Sequence, residues 1–127
     1  MCIRDRSKEA LEAVGLSDAI DKMPSDLSGG MRKRMALART LIVKPEILLY
    51  DEPTTGLDTI TSKEISLLML EIQKKNQPGS IIITHDMQCA RIAEGRILIL
   101  NDGEFIAEGS YSELENSENN FVKLFFK

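Results

Sequence analysis

At 127 residues, 43% hydrophobic and 28% charged with a net charge of −4, the chain has the size and balance of about one globular domain. Its mildly acidic total argues against wholesale nucleic-acid binding, which shows as a strongly basic domain, and apolar runs only a few residues long exclude a membrane-spanning helix. The two cysteines, Cys2 and Cys89, make neither a zinc spacing nor a disulfide framework, so a reduced, cytosolic setting is the default.

The N-terminal MCIRDRSK has no apolar stretch of the kind a secretory signal needs. Lys8 to Val14 reads as a short helix with Ala10, Leu11 and Val14 at helical spacing. Gly15 to Pro24 is irregular, with Asp18 placed to start a brief turn. Then comes LSGGMRKR, Leu27 to Arg34, opening a helix whose apolar stripe is Met31, Met35, Ala38 and Leu41 or Ile42. Arg32, Lys33, Arg34 and Arg39 lie off that stripe, and the run Arg32 to Arg34 reads as a solvated face. Lys44-Pro45 ends the helix, because proline disfavours the helical conformation in the residue before it.

Ile47 to Tyr50 is apolar on both faces, as a strand in a buried parallel sheet must be, and Asp51-Glu52-Pro53 follows abruptly. Ser80 to Thr84 is a second such strand, followed by the single histidine, His85. Between them a helix carries Ile65, Leu68, Met69 and Ile72 on one face and stops at Asn76-Gln77-Pro78-Gly79. Together these make a βαβ unit with a right-handed crossover expected. Arg96 to Leu100, Asn101-Asp102-Gly103 and Glu104 to Glu108 read as a β-hairpin with an Asp-Gly turn. Ser110 and Glu113 fit a capping box, and Phe121, Leu124 and Phe125 give the C-terminal segment an apolar face that docks on the domain.

Chemistry gathers at the strand ends, where open α/β sheets bind ligands. Asp51 and Glu52 point opposite ways and can do separate jobs. One can hold a hard cation such as Mg²⁺ through water, the other can orient or deprotonate an attacking water. His85 at the neighbouring strand end can hydrogen-bond a phosphoryl oxygen. In the glycine-rich stretch, Gly29 and Gly30 allow close backbone approach, Ser28 caps the helix, and the helix N-terminus offers free N–H groups to an anion. Each feature alone also fits an ordinary solvated loop, a structural histidine or a capped helix.

Taken together, LSGGM (Leu27 to Met31), ILLYDEPTTGLD (Ile47 to Asp58) and IIITHD (Ile81 to Asp86) resemble the ATP-binding subunits of ABC transporters, in that family's order and at its intervals. The resemblance runs from about Glu9 to Ser112. It implies an α/β, partial P-loop NTPase fold of the ABC ATPase type, mostly parallel sheet with a C-terminal hairpin, lacking the N-terminal Walker A half. On it, residues 8–45 are the end of a helical subdomain and the signature helix, and residues 46–127 are the C-terminal part of the ATPase core. It further implies ATP hydrolysis with Mg²⁺: Asp51 positions the metal, Glu52 acts on the hydrolytic water, and His85 contacts the γ-phosphate. Ser28, Gly29, Gly30 and Met31 bind an ATP held by a second, identical subunit, and Asp58 communicates across that dimer. This is phosphoryl transfer to water, where catalysis is mostly positioning and charge stabilisation.

Within the family, PSDLSGGMRKRMALART (Pro24 to Thr40) resembles the ATPases of Mce/Mla lipid-transport systems. That implies a peripheral place on the cytoplasmic face of a bacterial inner membrane, beside a permease and an Mce-type lipid-binding protein, without nucleic acid. Thr59 and Glu94-Gly95 depart from the family pattern away from the proposed chemistry. No GxxxxGK[ST] loop and no glutamine-bearing Q-loop occur in the chain, and both are expected upstream. Residues 1–7 fit no family pattern and read as a non-native leader, as translated adapter sequence would. The isolated chain is therefore expected to be inactive.

Two other readings compete. A soluble ABC-type ATPase of the translation or DNA-repair kind would carry a second cassette or coiled-coil insertions. A non-catalytic half-domain acting as an interaction protein would have a genuine start codon and no upstream Walker A. A receiver-type signalling domain explains the strand-end acids but neither LSGGM nor Gly-Leu-Asp.

Overall fold

The computed structural model describes residues 2–127. Helix α1, Ile3–Ala13, starts earlier than the Lys8 expected and buries Ala10 and Leu11. After two short 3₁₀ turns, the first at Ser17–Ala19 where Asp18 predicted one, α2 spans Gly29–Leu41. Its apolar stripe meets the end of α1: Ala38 is fully buried, while Met31, Met35 and Leu41 pack partly covered against the cluster of Leu11, Val14, Leu16 and Leu27. Of the two candidates for the stripe's last position, Leu41 takes it and Ile42 is exposed.

The expected βαβ unit follows. Strand β1, Ile47–Asp51, leads through α3, Thr59–Asn76, to β2, Gly79–Ile83, and the two strands pair in parallel with Ile47 opposite Gly79 and Asp51 opposite Ile83. Helix α3 buries Ile65, Leu68, Met69 and Ile72, the four residues its periodicity singled out. It ends at Gln77 in the left-handed conformation (φ 49°), with Gln77 N–H bonded to the Gln73 carbonyl at 3.0 Å, as the Asn-Gln-Pro-Gly stop demands.

The sheet is covered on one face only. Leu48 is buried and Tyr50 and Ile82 are half-buried against the helices, whereas Ile47, Leu49, Ile81 and Ile83 are 59 to 74% exposed. The sequence pattern of two apolar faces thus meets one packed face and one bare one. Because the sheet has two strands, the bare surface extends across a whole face as well as both edges.

Helix α4, Met87–Ile92, packs Cys89 against α3, and the hairpin β3 (Ile97–Asn101) to β4 (Glu104–Gly109) follows. Asp102 and Gly103 both have positive φ, 48° and 82°, the conformation a two-residue hairpin turn requires and glycine adopts without penalty. Ile99 pairs with Ala107 but Leu100 with Phe105, so Ile106 is the extra residue of a bulge. The hairpin forms its own two-stranded sheet and does not join the parallel one. Ser110 and Glu113 form the expected capping box on α5, Tyr111–Glu115. The last helical segment is broken into α6, Asn120–Lys123, and a 3₁₀ turn over Leu124–Phe126. Phe121 and Phe125 pack inward as expected, but Leu124 is 62% exposed and Val122 takes the fully buried position instead.

Candidate functional site

The site is built where β1 and β2 end. Asp51 is the last residue of β1 and exposed. The ladder continues one bond further, with Glu52 N–H donating to the Ile83 carbonyl at 2.9 Å, and the chain then turns sharply because Glu52 has φ 47°. A non-glycine residue in that region costs about 1 to 3 kcal/mol and persists where surrounding contacts impose it. Here the Thr55 N–H (3.3 Å) and the Lys33 ammonium (3.4 Å) both donate to the Glu52 carbonyl.

The bent backbone delivers the Glu52 carboxylate to His85. The imidazole Nδ1 lies 3.0 Å from Oε1 and 2.9 Å from Oε2, and the Thr55 hydroxyl donates to Oε2 at 3.1 Å. The hydrogen bond from His85, and then that from Thr55, hold the Glu52 pKa below its ordinary value; the bond to Glu52 raises that of His85. An ionised Glu52 accepts, so Nδ1 carries the hydrogen and Nε2 is the nitrogen left for a ligand. Since the ring is largely exposed, the pair contributes little to stability; its effect is to set the orientation and charge of the imidazole.

The glycine-rich stretch opens α2, the helix from which Lys33 reaches Glu52. Ser28 is the N-cap of α2 and its hydroxyl accepts from Met31 N–H at 3.2 Å. Gly29 and Ser28 are exposed, Gly30 and Met31 partly covered. Gly30 has an internal reason to be glycine: a Cβ there would sit 2.6 Å from Thr61 Cγ2 at the start of α3. Asp58 caps α3, accepting from Ile60 and Thr61 N–H at 3.0 Å and from the Thr61 hydroxyl at 2.6 Å. These bonds, the Thr61 side chain first, hold its carboxylate below the usual range.

The structure brings Glu52 and His85 together directly and links Glu52 to α2 through Lys33. Lys33 and Arg34 are therefore not a solvated face. Arg34 donates to the Val14 carbonyl at 3.0 Å and to Glu64 at 3.3 Å, so the basic run fastens α2 to α1 and α3, and only Arg32 of the three is exposed. Residues missed by sequence reasoning are Thr54, Thr55 and Asp86. Asp86 had a visible signal, an Asp directly before a helical stretch, and it does cap α4 through Gln88 and Cys89 N–H. The contact of Thr54 with Asp86, across 32 positions of sequence, had none.

Mg²⁺ takes one or two carboxylates and keeps waters or phosphate oxygens for the rest. The exposed Asp51 fits that demand as a single ligand, and no group of three or more His, Cys, Asp or Glu that could hold a metal gathers among the described residues.

Residues 3–55 match the ABC transporter family model. The chain is 39% identical to a methionine import ATP-binding protein of Oenococcus oeni over 97% of its own length and 35% of the relative's. It is 38% identical to the glycine betaine/proline betaine transport ATP-binding protein of Escherichia coli, over 98% of this chain and 31% of that one. It thus spans about a third of the length of these curated relatives. Among solved structures, cbiO1 of Clostridium perfringens, part of an ABC transporter complex, matches with a TM-score of 0.82 and 36% identity over 88% of this chain and 45% of its own. The ATP-binding cassette MJ0796, a dimer bound to ADP and Pi, matches with a TM-score of 0.71 and 36% identity, over 85% of this chain and 47% of its own.

Proposed function

We propose that this chain, which carries part of an ABC transporter ATP-binding domain, supplies the strand-end catalytic groups and the signature helix of an ATP-hydrolysing transport subunit. The observation that carries the reading is the Glu52–His85 pair, held at 2.9 to 3.0 Å by a strained turn at the ends of two parallel strands. Glu52 orients and deprotonates the attacking water, and His85 offers Nε2 to the γ-phosphate. Mg²⁺, held through Asp51, would neutralise charge on the phosphate oxygens. Ser28, Gly29, Gly30 and Met31 offer the start of α2 to an ATP held by a second, identical subunit, with Asp58 beside that contact. Residues 8–45 and 46–127 are the helical and core portions of this arrangement.

The whole protein acts with a membrane permease, peripherally on the cytoplasmic face; no helix among the described residues is long and apolar enough to cross a membrane. For the cargo we propose lipid or phospholipid, with an Mce-type lipid-binding partner, supported only by the stretch Pro24 to Thr40. Relatives named for methionine and betaine transport support small-solute import as the second reading. Permease and Mce genes beside this reading frame are the expected finding; genes for an amino-acid or betaine permease there would replace lipid with a small solute.

The catalytic reading is tested in a hybrid in which residues 8–127 replace the matching part of a related ATP-binding subunit. The hybrid hydrolyses ATP, and E52Q lowers kcat about a hundredfold or more, the loss expected for a general base. Hydrolysis undiminished in E52Q removes Glu52 from the role.

A further inference from the structure

The three buried polar residues of the described chain, Thr54, Ser62 and Ser66, all lie in one seam beneath the site, at 5, 7 and 2% exposure. The Thr54 hydroxyl donates to Asp86 Oδ2 at 2.8 Å, and Asp86 spends Oδ1 on capping α4. Asp86 N–H in turn donates to the Thr84 hydroxyl at 3.0 Å. From the other side the Ser62 hydroxyl donates to the Thr54 carbonyl at 3.4 Å, Ser66 bonds back to the Ser62 carbonyl at 2.9 Å, and the Cys89 thiol meets the Ser66 side chain. No buried side-chain polar atom among the described residues lacks a partner.

This seam joins three segments that sequence keeps apart. Thr54 lies two positions after Glu52, Asp86 directly after His85, and Ser62 one turn into the helix that Asp58 caps. Burial of hydroxyls in so small a core has to be compensated by hydrogen bonds, and a fully satisfied polar network is rigid and specific where apolar packing alone would allow sliding. We infer that Thr54, through its hydroxyl bond to Asp86, is a positioning residue that holds the loop carrying Glu52 in register with the loop carrying His85. The hydroxyl clamps the two loops on the buried side, so the Glu52–His85 contact on the open side is not left to two mobile turns. The inference rests on the proposed catalytic reading for its consequence, but its geometry can be measured without it.

His85 is the only histidine, so its ring resonances report on the pair without ambiguity. In the chain at fixed pH, T54V keeps the shape of the side chain and removes its hydroxyl, whereas T54S keeps the hydroxyl. The His85 ring signals of T54V move in the direction that E52Q moves them, and those of T54S stay at the wild-type position. Thermal melting is recorded on each variant; a hydroxyl that served stability alone would lower the melting temperature and leave the ring signals in place. Should T54V not fold, T54A, which leaves room for a water beside Asp86, is read the same way. An unmoved ring in folded T54V or T54A, or a T54S ring displaced as far as that of T54V, overturns the proposal. In the hybrid ATPase, T54V lowers kcat about tenfold at unchanged KM, the mark of misplaced groups, and T54S restores it. A hybrid with no hydrolysis in its unsubstituted form counts against the catalytic reading and leaves the ring measurement standing.

Discussion

Glu52 carries three demands at once: it ends the sheet, bends the backbone and holds His85. Its carboxylate pKa lies below the ordinary 4.5 and the His85 pKa above the ordinary 6.5, each because the other accepts or donates the shared hydrogen bond. The histidine contribution to stability is complete below its unfolded pKa and is lost as pH rises through the raised folded value. The glutamate contribution is complete above its unfolded pKa and is lost as pH falls through the lowered one. The pair is therefore at full strength between about pH 4.5 and 6.5 and weakens on either side. In E52Q the His85 ring should titrate nearer 6.5 than in the parent chain, followed by NMR; an unchanged midpoint would mean that the pair does not persist in solution. That Glu52 and His85 share one end of a parallel sheet was legible from two apolar strands ending in charged residues. That they touch was not, because contact depends on the left-handed turn at Glu52, which runs against the extended conformation that the following Pro53 favours.

Among elements, the approach of α2 to α3 is the tightest constraint. Gly30 faces Thr61, and the Thr61 side chain is pinned by its 2.6 Å bond to Asp58. G30A should thus cost about 1 to 3 kcal/mol, the range for overpacking, read by urea unfolding. G29A, whose Cβ would meet Leu57 Cδ2 at an ordinary 3.5 Å, serves as the control and should be nearly neutral. A neutral G30A would show that Thr61 yields. Replacing Asp58 by Ala removes three accepted hydrogen bonds at the start of α3 and should cost about 1 kcal/mol, with D58N recovering most of it. Asp58 and Gly30 were picked out in sequence as ligand or interface groups. Both have structural duties as well: that of Asp58 is local, the cap of its own helix, while that of Gly30 arises from a neighbouring helix that sequence spacing does not reveal.

For the molecule as a whole, the bare sheet face dominates. Ile47, Leu49, Ile81 and Ile83 form a contiguous apolar surface of the kind that soluble monomers seldom leave uncovered. The chain should bind a hydrophobic dye such as ANS, and the double substitution L49K/I81K should reduce that binding while the melting temperature changes little; equal dye binding by both forms would place the exposed surface elsewhere. With no GxxxxGK[ST] in the sequence, titration of the chain with Mg-ATP should show no micromolar affinity.

Helix and strand identities, the hairpin turn and the caps were determined by the sequence alone, because each depends on residues within a few positions of one another. Ser110 with Glu113, Asp102 with Gly103, and the four-residue stripe of α3 are local in this sense. So was the start of α2 at the LSGGM stretch, capped by Ser28. Only the tertiary structure decided that Lys33 reaches the Glu52 carbonyl, that Arg34 ties three helices, that one sheet face stays open, and that Thr54 meets Asp86. Those contacts join residues 19 to 32 positions apart, and their partners are chosen by packing between elements rather than by any periodicity along the chain.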